Sequence, residues 1–513
     1  MLFEGMRKGR NCRGFFAVLG FAFSLVCGCA PDSERPSNRT IRGPADLNGA
    51  RVAHMSSDFH KRELKTLAPA VLFEPYSEYA FAFASLRNGK LDAISIGHTY
   101  AEVWQAKFPD EFCVACEYAS DSCSFLLPKN SPWTAPLNAA LARLAASGEF
   151  VKIADKWLKA VKNNELASFE TYEAPPGAPV LKVASAAQAE PWCFVAEGRL
   201  QGIDIEILNR VAADLGWRLD FKIYSWGGMV DAVNGHRTDI ANGGIYTNGL
   251  KFPTVDASLP YAEERMCLLV RNPDYHQTCE GWRTWPRALA ASFHRTFVEE
   301  ARWRMLMRGL GVTLAITFLA TLLGTLLAFP VWGARTSSCR WVSALAHAYI
   351  SVLQGTPILV TLMVLFYVIF GSVSLDGFWI AVIGFSLNSS SYIGEMLRAG
   401  IASVPVGQRE AALALGYRPR QAFLRFVLPQ AVRTILPVYR GEIIGLLKST
   451  SIVGYIAIND LTKASDLVRA RTYESFFPIL TTAAVYFLVA ALLAWGLDKL
   501  GRRLDPRTKG DAP

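Results

Sequence analysis

The sequence has no G-x-x-x-x-G-K-[ST] motif. Its one Gly-Lys pair, Gly89-Lys90, lacks the rest of a phosphate loop, so the chain is not its own ATPase of that kind. Charged residues make up only 19% of the 513, and the formal net charge of +9 comes without a basic run interleaved with aromatics. Nucleic acid is therefore not an expected partner. Cys113 and Cys116 form a CxxC, but no second CxxC or paired histidine completes a zinc site, and no metal or cofactor is expected. An enzyme is the weakest reading, because no nucleophile, base and orienting group form a recognisable set.

What is present is apolar. Hydrophobic residues reach 51% and crowd the C-terminal third, with arginines flanking them as the positive-inside rule expects. The start reads "MLFEGMRKGRNCR", "GFFAVLGFAFSLV" and "CGCAPDSERPS": basic, then apolar, then small residues. Residues 1–30 are thus a signal peptide, with cleavage after Gly28 and lipidation of Cys29, or an uncleaved anchor. On either reading the following region lies outside the cytoplasm. Cysteines 113, 116, 123, 193, 267 and 279 would then meet an oxidising compartment, as disulfides or free thiols rather than metal ligands, with the pairing open.

Short β-branched runs such as "GARVAHM", "LDAISI", "LKVASA" and "LDFKIY" alternate with helical patterns from residue 46 to about 270. That alternation predicts parallel sheets with covering helices. The proline- and glycine-rich "FETYEAPPGAPV" divides the region into 46–165 and 181–275, with 166–180 as linker. Residues 276–305 form an interfacial linker in which Leu289, Phe293 and Phe297 fall at helical spacing, fitting a membrane interface or a short packed helix. From 306 to 500 five segments are long enough to cross about 30 Å of hydrocarbon: 308–332, 341–371, 377–397, 435–457 and 475–497. Five crossings leave the basic tail 501–513 inside, together with the arginine-rich "GQREAALALGYRPRQAFLRFVLPQA" between the third and fourth. Arg302, Arg304 and Arg308 on the outer side run against that scheme, a conflict tolerated because large translocated domains move largely regardless of charge.

In the arginine-rich loop, "EAALALG", a turn at "YRPR" and "QAFLRFVLPQA" predict two short helices broken at Gly416 and Pro419, with small alanines allowing close approach. Here the chain resembles a known family. Glu410, Ala411, Ala412, Gly416 and Leu428-Pro429 are similar to the "EAA" loop of ABC-transporter permeases, whose coupling helix docks on the ATPase. "SVLQGTPILVTLMVLFYV", "SLNSSSYIGEMLRAGI" and "GEIIGLLKSTSIVGYIAINDLTKAS" resemble segments of the polar-amino-acid uptake permeases, over about residues 305–500. Glu442 and Lys448 match the family at their positions. Ionisable groups in a membrane segment face a cavity or each other, so they line a pathway or form a structural pair, unless the lysine snorkels to the interface. Gly355-Thr356-Pro357 interrupts the second crossing, marking a cavity or a simple kink.

Residues 181–272 resemble the first lobe of amino-acid-binding periplasmic proteins and residues 46–160 the second, in reverse order. The reading is one circularly permuted domain, the alternative two truncated domains in tandem. The resemblance implies a carboxylate-gripping arginine where Lys251 stands, and an ammonium-binding acid where Gly97 stands, with His98 beside it. Both departures put a plain α-amino acid in doubt. Trp192 and Trp226 are cleft walls or core, Gly244 and Thr247 offer hydrogen bonds, and Asp92 and Asp204 support the fold.

The expected architecture is thus a permuted α/β periplasmic-binding-protein-like two-lobe domain followed by an all-α five-helix ABC importer transmembrane domain. The expected function is the substrate-binding and permease subunit of an importer in the bacterial inner membrane. Its implied partners are a cytoplasmic ABC ATPase, a second permease that a homodimer would supply, membrane lipid and a small polar solute such as an amino acid. A ligand sensor or ligand-gated receptor built on the same binding fold is the alternative.

Overall fold

The computed structural model describes residues 40–504 apart from 56–57, 77, 164, 249–253, 274–289, 372, 374 and 475–476. Lys251, Cys279 and Leu289 lie outside the described residues. Thirteen strands occur among the described residues: β1 (Arg51–His54), β2 (Leu72–Pro75), β3 (Ala93–Gly97), β4 (Phe112–Cys123), β5 (Leu126–Pro128), β6 (Val180–Ser185), β7 (Gln188–Ala189), β8 (Cys193–Ala196), β9 (Arg199–Gln201), β10 (Arg218–Ile223), β11 (Ile240–Asn242), β12 (Val255–Ala257) and β13 (Ala262–Arg271). They build two five-stranded sheets, β2-β1-β3-β13-β4 and β10-β6-β11-β5-β12, and a small sheet β7-β8-β9.

In each large sheet three strands from one half of the sequence run parallel and the fourth, antiparallel, comes from the other half. The chain crosses between sheets twice, at Ser124-Phe125 and at Ser258–Tyr261. Neither half of the sequence therefore completes its own sheet. The core follows the same logic: with the lobes numbered from here on by their order in this chain, one apolar cluster unites Phe83, Trp104 and Phe112 of the first lobe with Leu181, Trp192 and Phe194 of the second. Cys116, Cys123, Cys193, Cys267 and Cys339 are free thiols, and Cys123, Cys193 and Cys267 are buried among apolar side chains.

The remainder is helical. Two helices are long and apolar enough to cross a membrane, Trp303–Arg335 and Phe477–Lys499, or up to four if each of two bent pairs counts as one span. One pair, Arg340–Gly355 with Ile358–Ile369, bends by 107° at the Gly355-Thr356-Pro357 break, because Pro357 has no N–H to continue the helix. The expected count of five rests on Gly377–Ala402 as well. Its 26 residues extend about 39 Å, but Ser386, Ser389, Ser390 and Ser391 dilute its apolar character. Those serines are buried against neighbouring helices rather than turned to lipid, and Gly324 of the first helix approaches Ser389 closely enough that a Cβ there would lie 3.0 Å away.

The second lobe sits on this bundle. Tyr224, Met229 and Val233 share an apolar cluster with Ile316, Leu362, Phe366 and Ile380. Arg237 closes the seam, donating to the carbonyls of Phe366 and Phe370 at 2.7 Å and of Leu375 at 3.3 Å, with its guanidinium 3.8 Å from the Phe366 ring centre. In the interfacial linker Phe297 packs its ring 6.2 Å from that of Phe477, while Phe293 is exposed.

Candidate functional site

Two places carry the expected chemistry, the cleft between the lobes and the loop at the opposite end of the bundle, and a third element enters the cleft. In the cleft, the first turn of the helix Ile203–Leu215 presents Asp204, which is fully buried. Its carboxylate accepts from the N–H groups of Gly243 and Gly244 and from the Tyr261 hydroxyl, each at 2.8 Å. Burial outweighs these three donors and pushes the acid up to about 6. The loop after β11 is thereby held against Trp192, whose indole is buried on top of Gly244; a Cβ at Gly244 would meet it at 2.8 Å. Thr247 donates to the Ser122 carbonyl at 3.0 Å and so ties the second lobe to the end of β4 in the first.

The position beside Gly97 has a steric explanation. A Cβ on Gly97 would lie 2.2 Å from the Tyr246 hydroxyl and 2.8 Å from a Glu264 oxygen, so Tyr246 of the second lobe occupies the space that an acidic side chain would need. Glu264, on β13, brings a buried carboxylate to the same spot and accepts from the Thr99 N–H at 2.5 Å and the Thr99 hydroxyl at 2.7 Å. Burial pushes it up to about 7 against those bonds. His98 turns toward Glu117 (3.1 Å) and Glu102 (3.6 Å). Trp226 starts the helix Trp226–Asn234 and packs on the cluster shared with the membrane helices. The structure therefore brings Trp192, Gly244, Thr247 and the Gly97 end of β3 to one cleft, and sets Trp226 apart at the seam.

Sequence reasoning missed the element that enters this cleft. Helix Leu461–Thr472 ends in Tyr473, whose ring lies 4.1 Å from that of Trp104 in the first lobe and whose hydroxyl donates to Glu190 of the second at 3.0 Å. Glu190, 4% exposed, also takes Lys107 of the first lobe at 2.5 Å and Arg471. Burial alone would raise its pKa, but the Lys107 and Arg471 charges prevail and hold it at about 2. Arg469 pairs with Glu78 of the first lobe. A membrane-region element thus grips both lobes at once. One sequence signal pointed there: Arg469 and Arg471 sit where the positive-inside scheme would not put them, as paired arginines can.

At the far end of the helix Leu428–Ser449 is the loop resembling a docking motif. Helix Val406–Ala414 exposes Glu410 and Ala411 and buries Ala412, and Gly416 takes φ +81°, the left-handed turn that glycine permits. Leu415 is 76% exposed at the tip. The second short helix expected here is not separate, since Pro419–Ala422 runs on through Phe423–Val427 into Leu428–Ser449. Pro429 does not stop it, because the π-helical turn Phe423–Val427 just before it rewinds the backbone locally around the missing N–H. Glu442 accepts from the Ser389 hydroxyl at 3.1 Å and is half-buried between helices, whereas Lys448 is exposed six positions on. Among the described residues the two form no ion pair with each other.

Residues 320–509 match the family of the binding-protein-dependent transport system inner membrane component. The L-cystine transport system permease protein TcyB of Bacillus subtilis (strain 168) is 35% identical over 210 residues, which cover 40% of this chain and 90% of that one. A solved amino acid ABC transporter with histidines is also 35% identical, across 39% of this chain and 94% of that one, with a TM-score of 0.37. A mutant of ArgBP from T. maritima is 14% identical across 44% of this chain and 82% of that one, with a TM-score of 0.23. Through its helical region the chain belongs to the family of binding-protein-dependent transport system inner membrane components.

Proposed function

We propose that the chain is the substrate-binding and permease subunit of an ABC importer for amino acids or related small polar solutes, driven by a separate ATPase. The observation that carries this reading is the union, in one chain, of a permease-family helical region with a two-lobe α/β region whose both lobes it grips through Arg469, Arg471 and Tyr473. The cystine system of TcyB supports an amino-acid substrate.

The ATPase docks on Glu410, Ala411, Ala412 and Gly416, where an exposed Leu415 and the exposed Arg409, Arg418 and Arg420 offer apolar and ionic contacts. One chain has one such loop, so a second permease completes the importer. The basic loop faces the cytoplasm and the lobes face outward, with the helices in the inner membrane. Glu442 and Lys448 belong to the pathway. The exchange of β5 and β13 between sheets supports a single permuted receptor over two truncated ones, since each half lacks a strand. A solute in the cleft, among Trp192, Gly244, Thr247, Lys251 and His98, requires the lobes to part and Tyr246 to leave Gly97. Trp226, on the seam, would report that movement to the bundle. Ligand energy enters only through its differential affinity for the open and closed lobes.

Reconstitution of the chain with its ATPase in proteoliposomes tests this. ATP-dependent, saturable uptake of a labelled amino acid, lost on Ala411→Asp, supports it. Solute-triggered ion current without ATP would instead make the chain a ligand-gated receptor.

A further inference from the structure

The second lobe, the start of the first membrane helix and helix Leu461–Thr472 enclose a cavity of about 590 Å³, within the range of small-molecule sites. Its charged lining comprises Arg302, Arg304, Arg308 and Arg471 against Glu197 and Glu300. Val195, Leu200 and Met305 supply an apolar wall. The two acids do not neutralise the four arginines. Glu300 is shared between Arg302 (3.0 Å) and Arg471 (2.9 Å), whereas Arg304 and Arg308 have no ion-pair partner among the described residues. Arg308 reaches across to the β8–β9 turn, 3.8 Å from the Cβ position of Gly198.

Two further observations point to a ligand rather than to leftover space. Arg302 is only 7% exposed, yet its Nε–H has no hydrogen-bond partner, although its other nitrogens bind Glu299, Glu300 and the Arg295 carbonyl. An unanswered donor on a buried guanidinium is costly unless something accepts from it. The backbone around the cavity is also strained. Glu197, Glu300 and Ala301 have φ of 51°, 50° and 49°, so three of the seven described non-glycine residues at positive φ line this one cavity. Strain of this kind persists where the surroundings over-determine it, as they do at ligand clamps.

We propose that this junction cavity binds the carboxylate of a small solute, through Arg304, Arg308 and the Arg302 Nε–H, with Glu197 free to take an ammonium group. The proposal rests on the importer reading for its biological sense, placing a station between the lobes and the membrane pathway, but the recognition chemistry stands apart from it.

The test uses the full chain in detergent and in nanodiscs, with citrate and L-glutamate as carboxylate probes and chloride at equal ionic strength as control. Both arginines are exposed and lack ion-pair partners, so Arg304→Ala and Arg308→Ala leave the fold intact. Saturable protection against thermal unfolding by the probes is expected, with half-saturation rising about tenfold or more in each variant and partly restored in Arg308→Lys. His98→Gln, at the cleft between the lobes, should leave it unchanged. Equal probe binding in wild type and both alanine variants overturns the cavity proposal, as does protection given only by phosphatidylglycerol in the nanodisc. The two readings fail separately: arginine-dependent probe binding without ATP-driven uptake keeps the cavity and removes the importer, and ATP-driven uptake without arginine-dependent probe binding does the reverse.

Discussion

The two lobes are built alike and used differently. Both sheets place their first strand between two parallel neighbours and then accept an antiparallel strand from the other half. In both, an aspartate just before the third strand takes the N–H of the first: Asp92 from Arg51 at 2.7 Å and Asp239 from Lys182 at 2.8 Å. Their outer faces diverge. The second lobe merges its core with the membrane helices and is bolted down by Arg237, whereas the first is held at the cleft, by Arg469 on Glu78 and by Tyr473 on Trp104. A shared topology thus leaves one lobe anchored and the other the natural moving part, because what a lobe packs on decides its freedom, not the order of its strands.

The largest effect that would break this contrast is expected at Glu190, where the lobes and Tyr473 meet. Glu190→Gln strands Lys107 in a buried site and leaves Arg471 with Glu300 alone, which should cost about 3–5 kcal/mol, read as a lower melting temperature of the full chain and release of the first lobe to protease. An unchanged melting temperature would show that the contact is ornamental. Next comes acidity in the first lobe. Glu264 sits at about 7 in the fold against an ordinary 4.5, so its neutral form is the favoured one. Its contribution is full below pH 4.5 and is lost as pH rises through 7, up to roughly 3 kcal/mol. Urea unfolding from pH 4 to 8 should show wild type losing ground to Glu264→Gln over that window and no further above it.

A smaller effect sharpens the lobe contact itself. Gly97→Ala meets the Tyr246 hydroxyl and should cost about 1–3 kcal/mol by overpacking. Adding Tyr246→Phe should recover part of it, and no recovery would place the clash elsewhere. The smallest belongs to the anchored lobe's rim, where Lys222 pairs with Asp376 at 3.1 Å and both side chains are well exposed. Lys222→Ala should change stability by less than about 1 kcal/mol and lose even that in high salt.

The alternating β-branched runs and helical patterns made the α/β region legible. The ordered permease motifs did the same for the helical region, and Gly416 for the turn between its short helices. The departure at Gly97 was visible as well, but its cause was not, since Tyr246 stands 149 positions along the chain and reaches Gly97 only when the lobes meet. The break at Gly416 and Pro419 was legible too, but the second helix, expected to be short, runs on from Pro419 through Phe423–Val427 into Leu428–Ser449. Gly377–Ala402 shows the same limit in the membrane, since its serines lower the apolar signal and only their burial among helices explains them.

By itself the sequence determined the α/β region, the helical permease region and the break at Gly416, because these follow from periodicity, proline and glycine placement, and local charge. Only the tertiary structure decided that β5 and β13 trade sheets, that Glu190 gathers Lys107, Arg471 and Tyr473, and that Arg302, Arg304 and Arg308 line one cavity. Each joins residues far apart along the chain, and such meetings depend on which surfaces bury one another rather than on any local pattern.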